Sequence, residues 1–143
     1  MSDPVTVSII LSDLVICEQG TGKNSLIGVF NNFNVPQIPF PTPLFFITVA
    51  LTNMPATPRT FNIAVRIEDP STGHVLKSVG GEIKFRDSSN LSKEFVFEVS
   101  IPVTPFFIPK PGHYEVKVFV NNSDAGKRLL TVNSMTATES PPQ

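Results

Sequence analysis

This sequence is poor in cysteine, tryptophan and charge. Cys17 is the only cysteine in 143 residues, there is no tryptophan, and charged residues make up 16% of the chain, with a net charge of −1. A single cysteine excludes an intrachain disulfide, and no basic patch is evident to hold nucleic-acid phosphates. No apolar run approaches the roughly 18 residues of a membrane span, and the N-terminus lacks the basic start of a secretory signal. These absences predict a cytoplasmic protein that neither binds nucleic acid nor spans a membrane.

Proline and apolar residues are abundant instead. The chain has 14 prolines and a hydrophobic content of 41%, which is enough for a core in a chain as long as one ordinary domain. The prolines cluster in residues 36–43, 55–58 and 102–111. Because proline cannot donate to a β-ladder, these clusters mark loops and strand ends. We expect a single β-sandwich domain over residues 1–134 and a flexible tail over residues 135–143.

Alternation of apolar and polar side chains is the dominant pattern. Residues 60–69 show it most clearly, because Phe61, Ile63, Val65 and Ile67 alternate with polar or small residues. A strand places two such sets on opposite faces, one toward the core and one toward water. Similar rows occur in residues 45–52, 82–86, 94–101 and 113–120, and a final strand is expected over residues 129–133. About eight short strands with Pro, Gly and Asn turns predict an all-β, antiparallel immunoglobulin-like β-sandwich.

The first strand, residues 5–17, changes phase along its length. Leu11 and Leu14 are both apolar although they fall on opposite parities. A β-bulge inserts one extra residue and shifts the following side chains to the other face. A bulge or kink near Ser12–Asp13 would therefore reconcile the two halves of this strand.

Residues 20–24, Gly-Thr-Gly-Lys-Asn, connect the first two strands and have some likeness to a phosphate-binding loop. That motif needs a glycine where Cys17 stands and a serine or threonine where Asn24 stands. It also needs a helix N-terminus to hold the anion. We therefore expect a hairpin turn. The next strand, residues 25–34, is apolar on both faces around Gly28, which predicts a bulge or the close approach of a neighbour.

Residues able to carry out chemistry are few and scattered. Cys17, His74 and His113 are the soft metal ligands, and they are far apart and in no known ligand spacing. A nucleophile would need a base and an orienting group beside it, whereas a buried thiol at a strand end is the simpler interpretation of Cys17. The sequence predicts no catalytic, cofactor-binding or metal site, and therefore no enzyme.

Carboxylates are spread over the polar faces of the predicted strands. Glu68, Glu82, Glu98 and Glu115 could in principle form the paired acids of a glycosidase. Each alternates with core residues and has Lys or Arg nearby, so cross-strand charge pairs are the favoured interpretation. The lack of tryptophan, with Tyr114 the only tyrosine, weakens a carbohydrate-binding hypothesis without excluding it.

Two proline-rich loops, residues 35–44 and 102–111, are both stiff and apolar. Their large side chains either cap the open end of the sandwich or form a partner surface, since exposed apolar patches mark contact sites. The residues in question are Ile38, Phe40, Phe106, Phe107 and Ile108. The edge strands offer a second route to a protein partner or to self-association, because few charges protect them.

Several segments resemble an uncharacterised family of small bacterial β-sandwich proteins. They are Cys17-Glu18-Gln19-Gly20-Thr21-Gly22-Lys23, Leu26-Ile27-Gly28-Val29-Phe30, Pro39-Phe40-Pro41 and Ile67-Glu68-Asp69-Pro70. The resemblance implies a fold and a bacterial origin, and no activity. More loosely, Pro111-Gly112-His113-Tyr114-Glu115-Val116 resembles a late strand of immunoglobulin-like and fibronectin-like modules, although the chain lacks their paired cysteines and core tryptophan.

The leading functional hypothesis is a non-enzymatic binding or structural module that acts through protein–protein contacts, at the proline-rich loops or an edge strand. The alternative is a small-ligand or carbohydrate-binding β-sandwich, with its site between the sheets or at the loop tips. A cavity lined by converging polar groups would favour that alternative, and a dry, filled interior would count against it.

Overall fold

The computed structural model describes residues 4–53, 60–84 and 96–135, and these residues form strands and no helix. The prediction of an all-β protein is confirmed. The eleven strands of the described part are β1 (Val5–Cys17), β2 (Asn24–Phe30), β3 (Asn32–Val35), β4 (Phe40–Pro41), β5 (Phe45–Thr52), β6 (Thr60–Glu68), β7 (Val75–Lys84), β8 (Phe97–Val103), β9 (Phe107–Ile108), β10 (Gly112–Val120) and β11 (Ser123–Ser134).

Two main sheets enclose the core. Sheet A has the order β2-β1-β5-β8 and is antiparallel throughout, whereas sheet B has the order β3-β11-β10-β6-β7 and includes one parallel pair, β3 with β11. The two-residue strands β4 and β9 pair with each other and continue the β5–β8 ladder in the same register beyond Pro43 and Pro105. Sheet B is therefore mixed, where an antiparallel arrangement was expected.

Alternating side chains build the core as the sequence predicts. Phe61, Ile63, Val65 and Ile67 of β6 are all buried, and the intervening residues Asn62, Ala64 and Arg66 lie at the surface or half-buried. The same alternation places one row of β5 and one row of β10 inside, because a strand has a period of two. The largest fully buried side chains are Tyr114, Phe45, Phe61, Leu11, Ile47, Leu51, Ile108 and Leu130.

Of the bulge or kink predicted near Ser12–Asp13, the bulge is wrong. The β1–β2 register runs unbroken from Leu11 to Cys17, and the register shift of β1 against β5 lies between Thr6 and Ser8 instead. The apolar residues beyond Ser12 have no core to face, because β1 parts from β5 there and continues with β2 alone. The change of phase therefore reflects a change of surroundings.

The second predicted strand, residues 25–34, is divided in two. It pairs with β1 in sheet A as far as Phe30, and after Asn31 it joins sheet B beside β11. This switch of sheets, together with the strands β4 and β9, raises the number of strands above the eight expected. Gly28 has a φ of 70°, and a Cβ atom at this position would collide with the Asp13 carboxylate. The predicted close approach of a neighbour at Gly28 is confirmed.

Polar contacts connect the two sheets at their margins. The Arg128 guanidinium on β11 donates to the Ile9 carbonyl of β1 at 2.8 Å and to Asn31 Oδ1 at 2.8 Å. At the other margin, Lys77 Nζ on β7 lies 2.6 Å from Thr104 Oγ1, just beyond β8. Side chains from sheet B thus satisfy groups along sheet A at both margins. Within the described ranges there is no helix long and apolar enough to cross a membrane.

Candidate functional site

The hairpin formed by β1 and β2, residues 11–30, bends back across the outer face of sheet A. Asn24 Nδ2 on β2 donates to Glu98 Oε1 on β8 at 2.6 Å, although β2 and β8 are the opposite edges of this sheet. The register places Glu98 level with Ser8, and Asn24 level with Cys17, nine residues further along β1. In a flat sheet that offset is about 30 Å. The contact therefore requires the hairpin to fold over the sheet.

Small residues on the outer face of sheet A are buried beneath this hairpin. Thr48 and Ala50 alternate with core residues and so point away from the sandwich interior, yet each is almost inaccessible to solvent. Thr48 Oγ1 and Ser100 Oγ share a hydrogen bond of 2.8 Å across β5 and β8. The covered face is therefore polar but fully paired, as buried polar groups generally are.

The opposite side of the hairpin presents four large apolar side chains to solvent. Leu14 lies directly across the ladder from Ile27, and Ile16 and Val29 occupy neighbouring positions on the same side of the ladder. Their exposed fractions are 45% for Leu14, 46% for Ile27, 48% for Ile16 and 55% for Val29. We call these four residues the outer hairpin face. Contiguous exposed apolar side chains on a soluble domain mark interaction sites, whereas scattered ones are ordinary.

The turn at the end of the hairpin has the form expected from the sequence. The Glu18 amide donates to the Lys23 carbonyl at 2.7 Å, and the Gly22 amide donates to the Glu18 carbonyl at 3.1 Å. These bonds close a strand-to-strand turn with no helix beside it. Cys17 is exposed at the end of β1, so the interpretation of this residue as a buried thiol is wrong. The burial ends because β1 has left β5 by this point.

The candidate metal and catalytic residues are not brought together. Cys17 ends β1 in sheet A, and His113 lies on β10 in sheet B with Nδ1 3.3 Å from Thr131 Oγ1. His74 is exposed just after the turn that begins at Asp69. The described part of the chain contains no group of three or more His, Cys, Asp or Glu residues placed to hold a metal ion.

The outer face of sheet B carries charged side chains in pairs. Lys117 Nζ on β10 lies 2.8 Å from Glu68 Oε1 on β6, and Lys127 Nζ on β11 lies 3.0 Å from Glu115 Oε2 on β10. Each pair therefore joins two neighbouring strands. The hydrogen bond that the Lys117 ammonium donates to Glu68 raises the pKa of Lys117. Two of the four carboxylates thus form the cross-strand charge pairs that the sequence predicts, and Glu82 lies 3.8 Å from Lys84 on its own strand. Glu98 instead accepts the hydrogen bond from Asn24.

The five residues of the predicted loop surface take different positions. Ile108 is buried in the core, and Ile38, Phe40 and Phe106 are half-buried and pack against it. Ring contacts of 6.4 Å between Phe45 and Phe106, and of 6.5 Å between Phe33 and Phe40, help to close this end of the sandwich. Only Phe107 of the five is exposed, by 65%. Four residues therefore cap the core, and a partner contact at these loops stays a prediction.

A shallow depression of about 380 Å³ lies between β6 and β7. Gly80 and Gly81 leave it open, and a Cβ at Gly80 would collide with the Ile63 carbonyl. Among the described residues that line it, Asn62 and Ser78 supply the polar side chains. Ligand sites normally combine an enclosed apolar cavity with several converging polar groups, so the small-ligand alternative gains no support here and stays a prediction.

Sequence reasoning missed the outer hairpin face because exposed and buried apolar residues look the same in a strand pattern. The available signal was the phase change itself, since Leu14 and Ile16 fall on the parity opposite to Ile9 and Leu11. A second signal was a strand, β2, that is apolar on both faces. A strand with apolar residues on both sides needs a neighbour on both sides.

A family model described as a family of unknown function, DUF6941, matches residues 7–133. No curated protein matches the chain. Among solved structures, the chain is similar to a glycosyl hydrolase family 2 member from Bacteroides cellulosilyticus, with a TM-score of 0.44 and 13% identity over 78% of this chain and 17% of that chain. It is also similar to the alkylpurine DNA glycosylase AlkC from Pseudomonas fluorescens bound to DNA containing an abasic site analog, with a TM-score of 0.36 and 16% identity over 72% of this chain and 28% of that chain. The chain spans only a small part of either protein, and likenesses at these TM-scores carry no argument about function.

Proposed function

The chain belongs to DUF6941, a family of unknown function, and from its own geometry we propose that it is a non-enzymatic protein-binding module. The predicted membership of an uncharacterised family is confirmed by this match. The contact surface we propose is the outer hairpin face. The observation that carries the proposal is the exposure of its four apolar side chains, 45–55% each, on one side of one ladder.

The physical reason is that folding does not require these four residues to be apolar. They lie on the side of the hairpin away from the sandwich, while Val15 and Leu26 on the other side of the same ladder are half-buried. Transferring exposed apolar surface from water into a protein contact is favourable by roughly 25 cal/mol per Å². A partner with a complementary apolar surface would therefore gain most by binding here.

We also propose that the sandwich is of the immunoglobulin-like class. Its support is Tyr114, near the start of β10, whose hydroxyl donates to the Lys110 carbonyl at 2.6 Å. A buried tyrosine that bonds back to the backbone a few residues upstream is the tyrosine corner of such sandwiches. The mixed order of sheet B departs from the all-antiparallel sheets of the class, so this part of the proposal concerns the class and not a specific topology.

Site-specific photo-crosslinking tests the contact surface. A benzophenone side chain is placed at Leu14, on the outer hairpin face, and in a matched protein at Leu129, which is 55% exposed on sheet B. After irradiation in the host cells, we expect a discrete crosslinked protein from position 14 and none from position 129. Adding Ile16→Lys should abolish the product, while an exposed substitution of this kind changes stability by no more than about 0.5 kcal/mol.

Two outcomes would overturn the proposal. One is a product of equal yield from positions 14 and 129, which would mean non-specific adhesion. The other is the absence of any product that depends on Ile16. A product of twice the mass of the chain would identify a second copy and would not support a separate protein partner.

A further inference from the structure

The edge strands of the two sheets differ in how well they are protected. Edge strands expose unpaired backbone groups, and proteins protect them with charges, prolines or short length. Glu98 and Pro102 lie on β8, and Lys77, Glu82 and Lys84 lie on β7. At the remaining edge of sheet B, β3 has only four residues. The seven residues of β2 contain no charge and no proline, and among the described residues this strand forms a ladder with β1 alone.

We propose that β2 pairs with β2 of a second copy of this chain, antiparallel about a two-fold axis centred on Ile27. Such a contact is isologous, so one strand must be complementary to itself. Ile27 is the midpoint of β2 and would lie opposite its own counterpart. Ser25 would lie opposite Val29, and Leu26 opposite Gly28, which has no side chain of its own. Directly opposed β-branched residues stabilise antiparallel pairs.

Charge permits this pairing at every position. Lys23, the charged residue nearest to β2, would lie opposite Asn31 of the second copy, and no residue from 23 to 31 would face a like charge. Like charges placed directly opposite each other are destabilising, so a strand that carried them would be excluded as its own partner. We therefore assign the edge of β2 to a second copy, because this uncharged strand can pair with itself without placing like charges opposite each other.

The pairing would join two copies of sheet A into one continuous sheet. It would also bring two outer hairpin faces side by side. The self-pairing uses the edge of β2 that has no ladder partner among the described residues, whereas the proposed protein partner uses the outer hairpin face. Either contact can hold without the other. Substitution of Ile16 tests the partner contact, and substitution of Ile27 tests the self-pairing.

Sedimentation of the full chain over a range of concentrations tests this proposal with a matched pair of variants. Ile27→Lys and Ile16→Lys each replace an isoleucine of nearly equal exposure, 46% and 48%, but only residue 27 lies on the edge strand. We expect the natural chain and Ile16→Lys to sediment as dimers. Ile27→Lys should weaken dimerisation at least tenfold, because two ammonium groups would meet at the axis.

Disulfide trapping gives the register. In a Cys17→Ser background, mild oxidation should link Ile27→Cys chains in pairs, while Val29→Cys chains, four residues from their counterparts across the axis, should stay unlinked. The proposal is overturned if the natural chain is monomeric at every concentration. It is also overturned if Ile16→Lys dissociates the dimer as strongly as Ile27→Lys, or if both cysteine variants link equally.

Discussion

The outward surfaces of the two layers differ in chemistry although both layers cover the same core. On sheet B, Lys117 and Lys127 form ion pairs of 2.8 and 3.0 Å, and the Arg66 guanidinium lies 4.5 Å from the centre of the Phe119 ring. On the other layer the hairpin covers a polar sheet face and presents the outer hairpin face to water. A solvated sheet face normally alternates apolar-inside with polar-outside. Sheet B largely follows that rule, because its exposed apolar residues Val75 and Leu129 lie on strands that are not neighbours. The clustered apolar residues of the hairpin depart from the rule, which points to a contact and not to folding.

The two layers also differ in what lies directly on the sheet. The middle of the outer face of sheet A is Thr48, covered by the hairpin, whereas the corresponding middle of sheet B is Ala64, which is half-exposed between Phe119 and Gly80. A substituent at Ala64 can extend into water. A substituent at Thr48 must either fit beneath the hairpin or lift it. The comparison can therefore be tested by placing the same charge at both positions.

The largest effect is expected from Thr48→Glu. The carboxylate would be buried beneath the hairpin without a cation, and an uncompensated buried charge destabilises a fold by about 3–5 kcal/mol. The variant also loses the hydrogen bond between Thr48 and Ser100. Denaturant unfolding should show this loss, and amide exchange should show whether β2 is released before the sandwich unfolds.

The matched control is Ala64→Glu on sheet B. Its carboxylate can reach water and the neighbouring Arg66, so the free energy of unfolding should change by less than about 1 kcal/mol. If Thr48→Glu were as harmless as Ala64→Glu, the hairpin would not cover sheet A. The contrast between the two layers would then fail.

The sequence predicted the structure correctly where a strand has one buried face and one solvent-exposed face. In β6 and β10 every second residue is a buried apolar side chain and most of the residues between them are polar, so the period of two predicts both the strand and its inward row. It failed for β1, because Leu14 and Ile16 signal only that a neighbour exists. Whether that neighbour is the core of this chain or another molecule depends on where β1 leaves β5, and this separation has no local signature in the sequence.

The sequence predicts that the chain binds a protein partner or a second copy, but it does not predict which surface does so. The edge strand β2 could be suspected from its lack of charge, but the sequence does not show which predicted strands become edges. The sequence left open whether the loop residues Phe40 and Phe106 cap the core or form a partner surface, because stiff proline-rich segments can turn either way. Ring contacts with Phe33 and Phe45, distant in the chain, decide their direction.

A smaller effect is expected from Tyr114→Phe, which removes one hydrogen bond from the sheet B end of the sandwich. The loss should be about 1 kcal/mol, because the Lys110 carbonyl loses its donor at 2.6 Å. Burial raises the pKa of the Tyr114 phenol. The unfolded chain therefore releases this proton first, and the natural protein should lose stability above about pH 10. The phenylalanine variant should lack this component of the alkaline loss, and amide exchange in the hairpin should not change.

The smallest effect is expected for Asp69, an acidic residue beside Tyr114. The outer hairpin face contains no acidic residue. Its carboxylate accepts hydrogen bonds from the Ser71 amide at 2.9 Å and the Ser71 hydroxyl at 2.7 Å, and Lys110 Nζ lies 3.3 Å away. The Ser71 hydrogen bonds, aided by Lys110, lower the pKa of Asp69 below 3.8. A lowered pKa means that the ionised form is stabilised in the folded state. The resulting stability is present above about pH 4 and is lost as the pH falls through the folded value.

The variant Asp69→Asn isolates this contribution from the other carboxylates. At pH 7 the natural chain should be more stable than the variant in denaturant unfolding, and the difference should shrink as the pH falls below about 4. The strand β2 contains no titratable side chain, so the same change of pH should leave the ratio of dimer to monomer unaffected by this substitution. A difference in stability that stayed constant down to the acid limit would show that Asp69 acts through its shape in the turn, and that the charge on the sheet B side adds nothing there.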